Sequence, residues 1–370
     1  MLLLATKVWE QRKLGTITDT YSGGTPQVSV KDYYSNNEIP FIRSSDIHKN
    51  KTELYISSKG LENSSAKLVS KGHILYALYG ATSGEVDVSK IDGAINQAVL
   101  CINAHNDLNY FLMLFLSKNK DKIVRKYIQG GQGNLSASII KKIKVFTTSK
   151  LEETKISNLV KILSDIIALY EKKKQLLTQL KQGIVNFLIT KNEQKPQLRF
   201  SGFNNNWESK SFEKLLNYEQ PIKYIVKKAD YISQGTPVLT ANKSFILGYT
   251  NETNVYQNIP AIIFDDFTLE SKYVDFPFMI KSSAIKILTS KNSNLFFIYQ
   301  LLNNQRFVQE GHSRHYISVV QKKKVLVPSI QEQNKISDLI KQLEDNIELS
   351  SNTIVLLKKL KGFLLQNMFL

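Results

Sequence analysis

The sequence predicts an α+β chain: two globular mixed α/β domains separated by two long helices that form an antiparallel coiled coil, an internal repeat with a pseudo-twofold axis. Three observations carry this. The stretch from Glu152 to Ile189 returns without a gap from Glu332 to Phe369, so that Lys155-Ile156-Ser157 falls on Lys335-Ile336-Ser337 and Leu176-Leu177 on Leu356-Leu357. Ahead of each copy lies a run of short apolar segments divided by glycine-rich loops. The two tryptophans, Trp9 and Trp207, are each followed by glutamate and each open one half. The expected boundaries are 1–150 for the first domain, 151–190 for the first helix, 191–206 for a linker, 207–330 for the second domain and 331–370 for the second helix.

In the first domain, WEQRKLGTI is a short amphipathic piece and Tyr21 to Pro26 a turn-rich loop. Ile39 to Ile47 (IPFIRSSDI) alternates like a strand and presents Arg43, Ser44 and Ser45. His73 to Gly80 is a second strand, broken by the loop Ala81-Thr82-Ser83-Gly84. Gly93 to Ile102 reads as a further strand, with Asn96 and Gln97 as bonded core polars. Asn109 to Leu116 is apolar all round, as a core helix is. The loop Gly130 to Asn134 follows, and Ser136 to Phe146 leads into the first long helix.

That helix repeats Ile156, Leu163, Tyr170, Leu177 and Ile184 every seven residues, with Leu159, Ile166, Leu180 and Phe187 in the second seam position and Lys173 as a break. At 1.5 Å per residue it is roughly 55–60 Å long, which suits a spacer. A polar linker, Lys191 to Pro196, hands over to PQLRFSGFNNNWE and the second domain. There FDDF (Phe264 to Phe267) reads as a strand end with a turn. The loop Gly311 to Tyr316 lies 180 residues after the Gly131 loop, and both precede one basic junction, KKIKVFTTS in the first half and KKKVLVPS in the second. The second helix keeps Ile336, Leu339, Leu343, Leu357, Leu360 and Leu364, with Ser350 as its break.

The 49 basic residues exceed the 32 acidic ones by 17, a surplus that points to a polyanionic partner. A single cysteine, Cys101 in the apolar run AVLCI, rules out a disulfide framework and fits a reducing cytoplasm. The opening MLLLA is too short for a signal-peptide core and no run reaches the length of a membrane span, so no membrane partner is expected. Catalytic signatures are missing. Gly131-Gln132-Gly133 lacks the third glycine of a dinucleotide fingerprint, no phosphate-binding loop is present, and no N/D-P-P-F/Y motif of an amino-methyltransferase occurs. Asp265-Asp266 with Glu270-Ser271-Lys272 only weakly imitates a metal-dependent nuclease, and His312 and His315 have no carboxylate nearby to share a metal. No catalytic residue, metal or cofactor is expected in this chain.

Base reading requires Arg or Lys for guanine, Asn or Gln for adenine, and Ser or Thr for either, while glycine loops bring backbone amides to phosphates. The first-domain candidates are Ser22, Gly23, Thr25, Arg43, Ser44, Tyr79, Thr82, Ser83, Gln132 and Asn134. Those of the second are Gln220, Tyr224, Thr236, Lys243, Tyr249, Ser282, Arg314, His315 and Tyr316. The helix-pairing candidates are Ile156, Leu159, Leu163, Ile166, Leu177, Leu180, Ile336, Leu339, Leu343, Leu357 and Leu360. A non-catalytic coiled-coil adaptor that binds protein only is the alternative at this point.

Over nearly its whole length the chain resembles the specificity (S) subunit of type I restriction–modification systems. The resemblance rests on PQLRFSGFNNNWE, on WEQRKLG with SGGTP and IPFIRSSDI, and on PSIQEQNKISDLIKQLEDNIELSSNTIVLLKKLKGFLLQNMF. YEQPIKYIV, TPVLTANKSFILGYT and IIFDDFTLESKYVDFPF are similar to one subtype of the family's target-recognition domain. MLLLATKVWE departs from the pattern in lacking the P-x-L-R-F lead found before Trp207. The resemblance implies two target-recognition domains that each read one half of a bipartite duplex site. It also implies helices that set the spacing and dock two modification subunits. Those subunits hold S-adenosylmethionine and methylate adenine, and a translocating restriction subunit joins them for cleavage.

Overall fold

The computed structural model describes residues 9–35, 37–106, 108–128, 134–189, 196–228, 230–241, 244–307 and 316–369. They fall into two compact units. One comprises the residues up to Tyr170 together with those from Thr353 on, and the other runs from Glu171 to Asn352. Among the described residues no helix is long and apolar enough to cross a membrane.

The first unit contains β1 (Glu10–Lys13), β2 (Thr18–Ser22), β3 (Tyr34–Ser35), β4 (Ile39–Ile42), β5 (Tyr55–Ile56), α1 (Ser58–Glu62), β6 (Lys67–Val69), β7 (Ile74–Ala77), β8 (Val86–Val88), β9 (Gly93–Ile95), β10 (Val99–Ala104), α2 (Asn109–Lys118), α3 (Lys120–Ile128), α4 (Ala137–Lys141) and β11 (Lys144–Thr147). An antiparallel sheet in the order β2-β10-β7-β8 is joined by a five-stranded sheet, β3-β5-β4-β9-β6, in which β4 and β9 run parallel. The strands β7 and β10 are buried along nearly their whole length because α2 covers one face and strands of the second sheet cover the other. The apolar run from Asn109 to Leu116 is thus the core helix its composition predicts. Three segments differ from expectation. Ile39 to Ile47 is strand only as far as Ile42, and 44–48 are turns because the Asp46 amide donates to the Arg43 carbonyl at 2.8 Å. WEQRKLGTI forms the exposed edge strand β1 and a 3-10 turn instead of an amphipathic piece. GAINQAVLCI is two strands, because Asn96 turns the chain by accepting from the Ala98 amide at 3.1 Å.

The second unit repeats the plan with β12 (Glu208–Ser211), α6 (Phe212–Leu215), β13 (Leu216–Glu219), β14 (Thr236–Leu239), β15 (Ile246–Thr250), β16 (Ala261–Asp265), β17 (Ser271–Val274), β18 (Met279–Ile280), β19 (Ile285–Ser290), α7 (Leu295–Asn304) and β20 (Lys324–Val327). The order β13-β19-β16-β17 matches β2-β10-β7-β8, and the parallel pair β14–β18 matches β4–β9. The antiparallel pair β14–β15 likewise corresponds to β4–β5, while β3 and β6 extend that sheet in the first unit alone among the described residues.

The long helices are α5 (Lys150–Leu188) and α8 (Ile330–Asn367). Ser149 and Ser329 start them by the same chemistry. Their hydroxyls accept from the amides of Glu152 and Glu332, at 3.3 and 3.4 Å, as N-cap serines do. Ile156, Val160, Leu163 and Ile167 are buried on α5, and Ile336, Ile340, Leu343, Ser350 and Ile354 on α8. The burial therefore repeats at the 180-residue offset, but the second seam lies one residue later than the heptads predict. Leu159, Leu180 and Leu360 are exposed, and Ile166, Leu177, Leu339 and Leu357 are half-buried.

Pairing is antiparallel in both units. In the first, Ile156 and Val160 near the start of α5 share a core with Leu365, Met368 and Phe369 at the end of α8. Phe369 packs its ring 5.1 Å from that of Phe111, and the Lys118 ammonium donates to the carbonyls of Gln366 and Phe369. In the second, Val185 and Leu188 meet Ile336 and Ile340, with Trp207 edge-on to Phe297 in the same core. Arg199, from the PQLRF segment, donates twice to the buried Glu332 at 2.7 Å, fixing the start of α8.

Candidate nucleic-acid interface

Strand register brings the first-domain candidates together at one rim. The end of β2, Ser22, lies opposite Leu100 near the start of β10, and the start of β10, Val99, lies opposite Ala77 at the end of β7. The parallel strands β4 and β9 end side by side at Ile42 and Ile95. The chain therefore leaves four adjacent positions at the same edge, through the loops 22–26, 43–46, 78–84 and 96–98. Ser22, Gly23, Thr25, Arg43, Ser44, Tyr79, Thr82 and Ser83 all sit on these loops. Asn134 joins them, since the amide of its neighbour Leu135 donates to the Leu78 carbonyl at 3.0 Å. Gln132 lies outside the described residues.

Short contacts fix the loops. A Cβ on Gly23 would stand 1.8 Å from the Ile95 carbonyl oxygen, so only glycine lets the first loop lie on the end of β9. The Thr25 hydroxyl donates to Gln97 Oε1 at 2.7 Å, tying that loop to the turn after β9. Arg43 donates through Nε to the buried Asp46 at 2.9 Å, while its side chain stays 41 % exposed. Burial pushes the Asp46 carboxyl up, but bonds from Lys49 and Arg43 outweigh this and hold it below the usual carboxylate range. His48 bridges Glu85 and Asp87 at 3.1 Å each. Glu85 also takes a short bond from Lys120, which, with His48, keeps that carboxyl below its ordinary value despite partial burial. His48, just past the Arg43 loop, Glu85, just past the 78–84 loop, and Lys120 of α3 are thereby one connected network.

Sequence reasoning missed three contributors. Gln97 is exposed on the rim, not a core polar. Lys67, opposite Ile95 at the start of β6, is exposed at the same edge. One face of α3 lies against the third loop, where Val124 and Lys120 crowd Gly84.

The second unit has the corresponding rim. Glu219 ends β13 opposite Ile287, Asp265 ends β16 opposite Ile285, and β14 and β18 end together at Leu239 and Ile280. Gln220 and Ser282 follow these ends directly, and Tyr224 closes the turn after Gln220, edge-on to Tyr256. Thr236 and Tyr249 lie elsewhere, at the far end of β14, about 10 Å from its Leu239 end at 3.3 Å per residue. Tyr316 is fully buried, stacked near Tyr218 and Phe264, so its phenol belongs to the core and does not reach the rim. Its amide donates to Asp266 at 2.7 Å, and Asp266 faces the buried Lys286 at 3.5 Å. FDDF is indeed a strand end with a turn, in which Asp265 accepts from the amides of Phe267 and Thr268. Lys243, Arg314 and His315 lie outside the described residues. Among the described residues no group of three or more His, Cys, Asp or Glu side chains could hold a metal ion.

The helices expose a second repeated feature. Leu169, Leu176 and Leu180 of α5 and their offset counterparts Leu349, Leu356 and Leu360 of α8 are all exposed. On each helix they recur at heptad-compatible spacing on the side away from the buried seam.

Comparison with known proteins agrees with this architecture. The family model for the type I restriction modification DNA specificity domain matches residues 6–182 and again 204–359. The specificity subunit of the type I restriction enzyme EcoR124I/EcoR124II of Escherichia coli is 50 % identical over 123 residues, which span 31 % of this chain and 30 % of that relative. The MjaIX specificity subunit of Methanocaldococcus jannaschii is 23 % identical over 97 % of this chain and 92 % of its own. The S subunit of the type I system of M. genitalium shares the fold with a TM-score of 0.69 at 14 % identity, covering all of this chain and 98 % of that one. A chain from a structure of type I restriction–modification complex assembly superposes with a TM-score of 0.54 at 12 % identity, over all of this chain and 99 % of its own.

Proposed function

The chain belongs to the family of type I restriction–modification DNA specificity subunits, and we propose that each unit reads one half of a bipartite duplex site with the rim at its strand ends. The observation that carries this is the convergence in the first unit: candidates drawn from positions 22 to 134 meet on one edge, and they are the side-chain types that bond base edges and phosphates. Because the two units share a strand order but differ in their rim residues, the two half-sites need not be alike. The chain itself is non-catalytic in this reading and works in the cytoplasm.

Adenine methylation falls to two partner modification subunits, which hold S-adenosylmethionine, and cleavage to a translocating restriction subunit. The modification subunits dock on the exposed leucines of α5 and α8. The repetition of that apolar face in both helices supports two equivalent docking positions. The helices set the number of unread bases between the half-sites.

The test is to express the chain with its methyltransferase partner and sequence the methylated sites of the host. A two-part motif with a fixed gap is expected. A single continuous motif, or methylation that does not depend on this chain, would overturn the reading. The assembled complex must also bind duplex DNA with a steep salt dependence. A complex that assembles but ignores DNA would be a protein-only adaptor.

A further inference from the structure

The first unit carries a basic groove that the rim does not use. Lys122, Lys126, Lys142 and Lys144 stand around a hollow of about 290 Å³ whose floor includes Phe115 and Tyr127, and no carboxylate lines it. The residues come from α3, from the turn before β11 and from the first residue of β11. Among the described residues none of these four lysines has an ion-pair partner. Lys13 adds to the crowding, since it faces Lys144 directly across the β1–β11 pair. Like charges in cross-strand register destabilise a sheet unless an anion offsets them. Burial and the charge of Lys122 together hold nearby Lys118 below the usual lysine value.

The groove lies apart from the base-reading rim. The Leu14 amide bonds the Ile143 carbonyl, which places the groove near the start of β2, whereas the rim lies at its end. Lys120 and Val124 of α3 face the 78–84 loop of the rim, whereas Lys122 and Lys126 lie about 200° further round that helix, on its other side. The junction lysines also recur: Lys322, Lys323 and Lys324 lead into β20 at the same 180-residue offset and are exposed. A basic junction thus persists in both halves, although the loops at the rims have diverged.

We propose that this groove clamps the sugar–phosphate backbone of duplex DNA outside the bases that are read, with Lys322 to Lys324 as its counterpart on the second unit. The proposal rests on the DNA reading above. Lysines without acidic partners suit a chain of phosphates, which carries about one charge per 1.7 Å of duplex. A point charge on a flexible stem gives attraction without base preference.

The test compares the full chain, assembled with its methyltransferase partner, with a variant carrying Lys122→Gln, Lys126→Gln, Lys142→Gln and Lys144→Gln. Binding to a duplex with the motif and to one without it is measured as salt rises. The log–log slope should become shallower by about 2–4 on both duplexes, at about 0.9 for each phosphate that is no longer neutralised. The methylated motif should not change, and arginine at all four positions should restore the slope. An unchanged slope in the variant, beside a steep one in the parent, would overturn the clamp while leaving DNA reading intact. So would an altered motif, which would make the lysines base readers, or a loss of assembly, which would make the groove a seat for an acidic protein surface. A parent complex without salt-dependent binding would remove the DNA reading itself.

Discussion

Gln97 shows how a single side chain changes meaning between sequence and structure. Within GAINQAVLCI it is flanked by apolar residues, and nothing there marks a turn, since neither glycine nor proline interrupts the run between Asn96 and Ile102. The turn comes from the Asn96 side chain capping Ala98, a local bond that competes with the strand. It leaves Gln97 exposed on the rim, positioned by Thr25. Gln97→Ala is therefore expected to cost about 1–3 kcal/mol of specific binding and to relax one base position in the first half-site. Competition with duplexes altered at single positions measures this, and a uniform loss over all sequences would assign Gln97 to the backbone. The other rim residues were legible because turn residues and base-reading residues are the same small polar types. The misplaced ones, Thr236, Tyr249 and Tyr316, have the right chemistry at the wrong strand end or in the core, and only register distinguishes these cases.

Glu153 carries a different prediction at the same scale. Its burial raises the carboxyl above the usual glutamate value, and the Thr148 amide offsets only part of this. A raised native pKa adds stability below the ordinary glutamate value, and that share is lost as pH rises through the native one. At neutral pH the buried charge is a net cost, and α8 has Gln333 at the same offset. Glu153→Gln should raise the thermal midpoint at neutral pH, with the gain closing as pH falls towards the ordinary glutamate range. Calorimetry across that range decides it, and a gain that does not change with pH would point to packing instead of charge.

At the scale of the element, α5 and α8 carry two apolar stripes, one buried and one exposed. The period and the repeat were both legible, but the phase was not. Leu159 and Val160, Ile162 and Leu163, and Ile166 and Ile167 are adjacent apolar pairs, so either member fits the heptad. Packing selects Val160, Leu163 and Ile167 for the seam and leaves Leu159 and Ile162 exposed. The two stripes should separate experimentally. Leu163→Ala or Ile340→Ala removes buried methyl groups and should cost about 2–5 kcal/mol of stability. Serine in place of Leu169, Leu176 and Leu180 should leave unfolding nearly unchanged and abolish co-purification of the methyltransferase subunit. A destabilised fold with normal assembly in the second variant would reverse the assignment.

For the whole molecule, the shared strand order of the two units predicts modular reading. Exchanging Trp9 to Ser149 for the first domain of another family member should change one half of the methylated motif and leave the other as it was. Both halves changing would contradict independent rims. If the helices set the gap, four helix-favouring residues inserted after Thr190 should lengthen the path by about 6 Å. Since DNA rises 3.4 Å per base pair, one or two more unread bases are expected between unchanged half-sites, and an unchanged gap in an active complex would show that the helix is not the ruler. The discontinuity of the first unit has a consequence for synthesis. The second unit, Glu171 to Asn352, is one continuous piece of chain, whereas the first takes in the residues from Thr353 on. Phe369 packs on Phe111, and Lys118 waits for the carbonyls of Gln366 and Phe369. On the ribosome, then, the half that is translated first finishes folding last. Its core stays open while the remaining two hundred or so residues emerge, so a nascent chain stalled before α8 would expose the first unit, not the second, to chaperones and proteases.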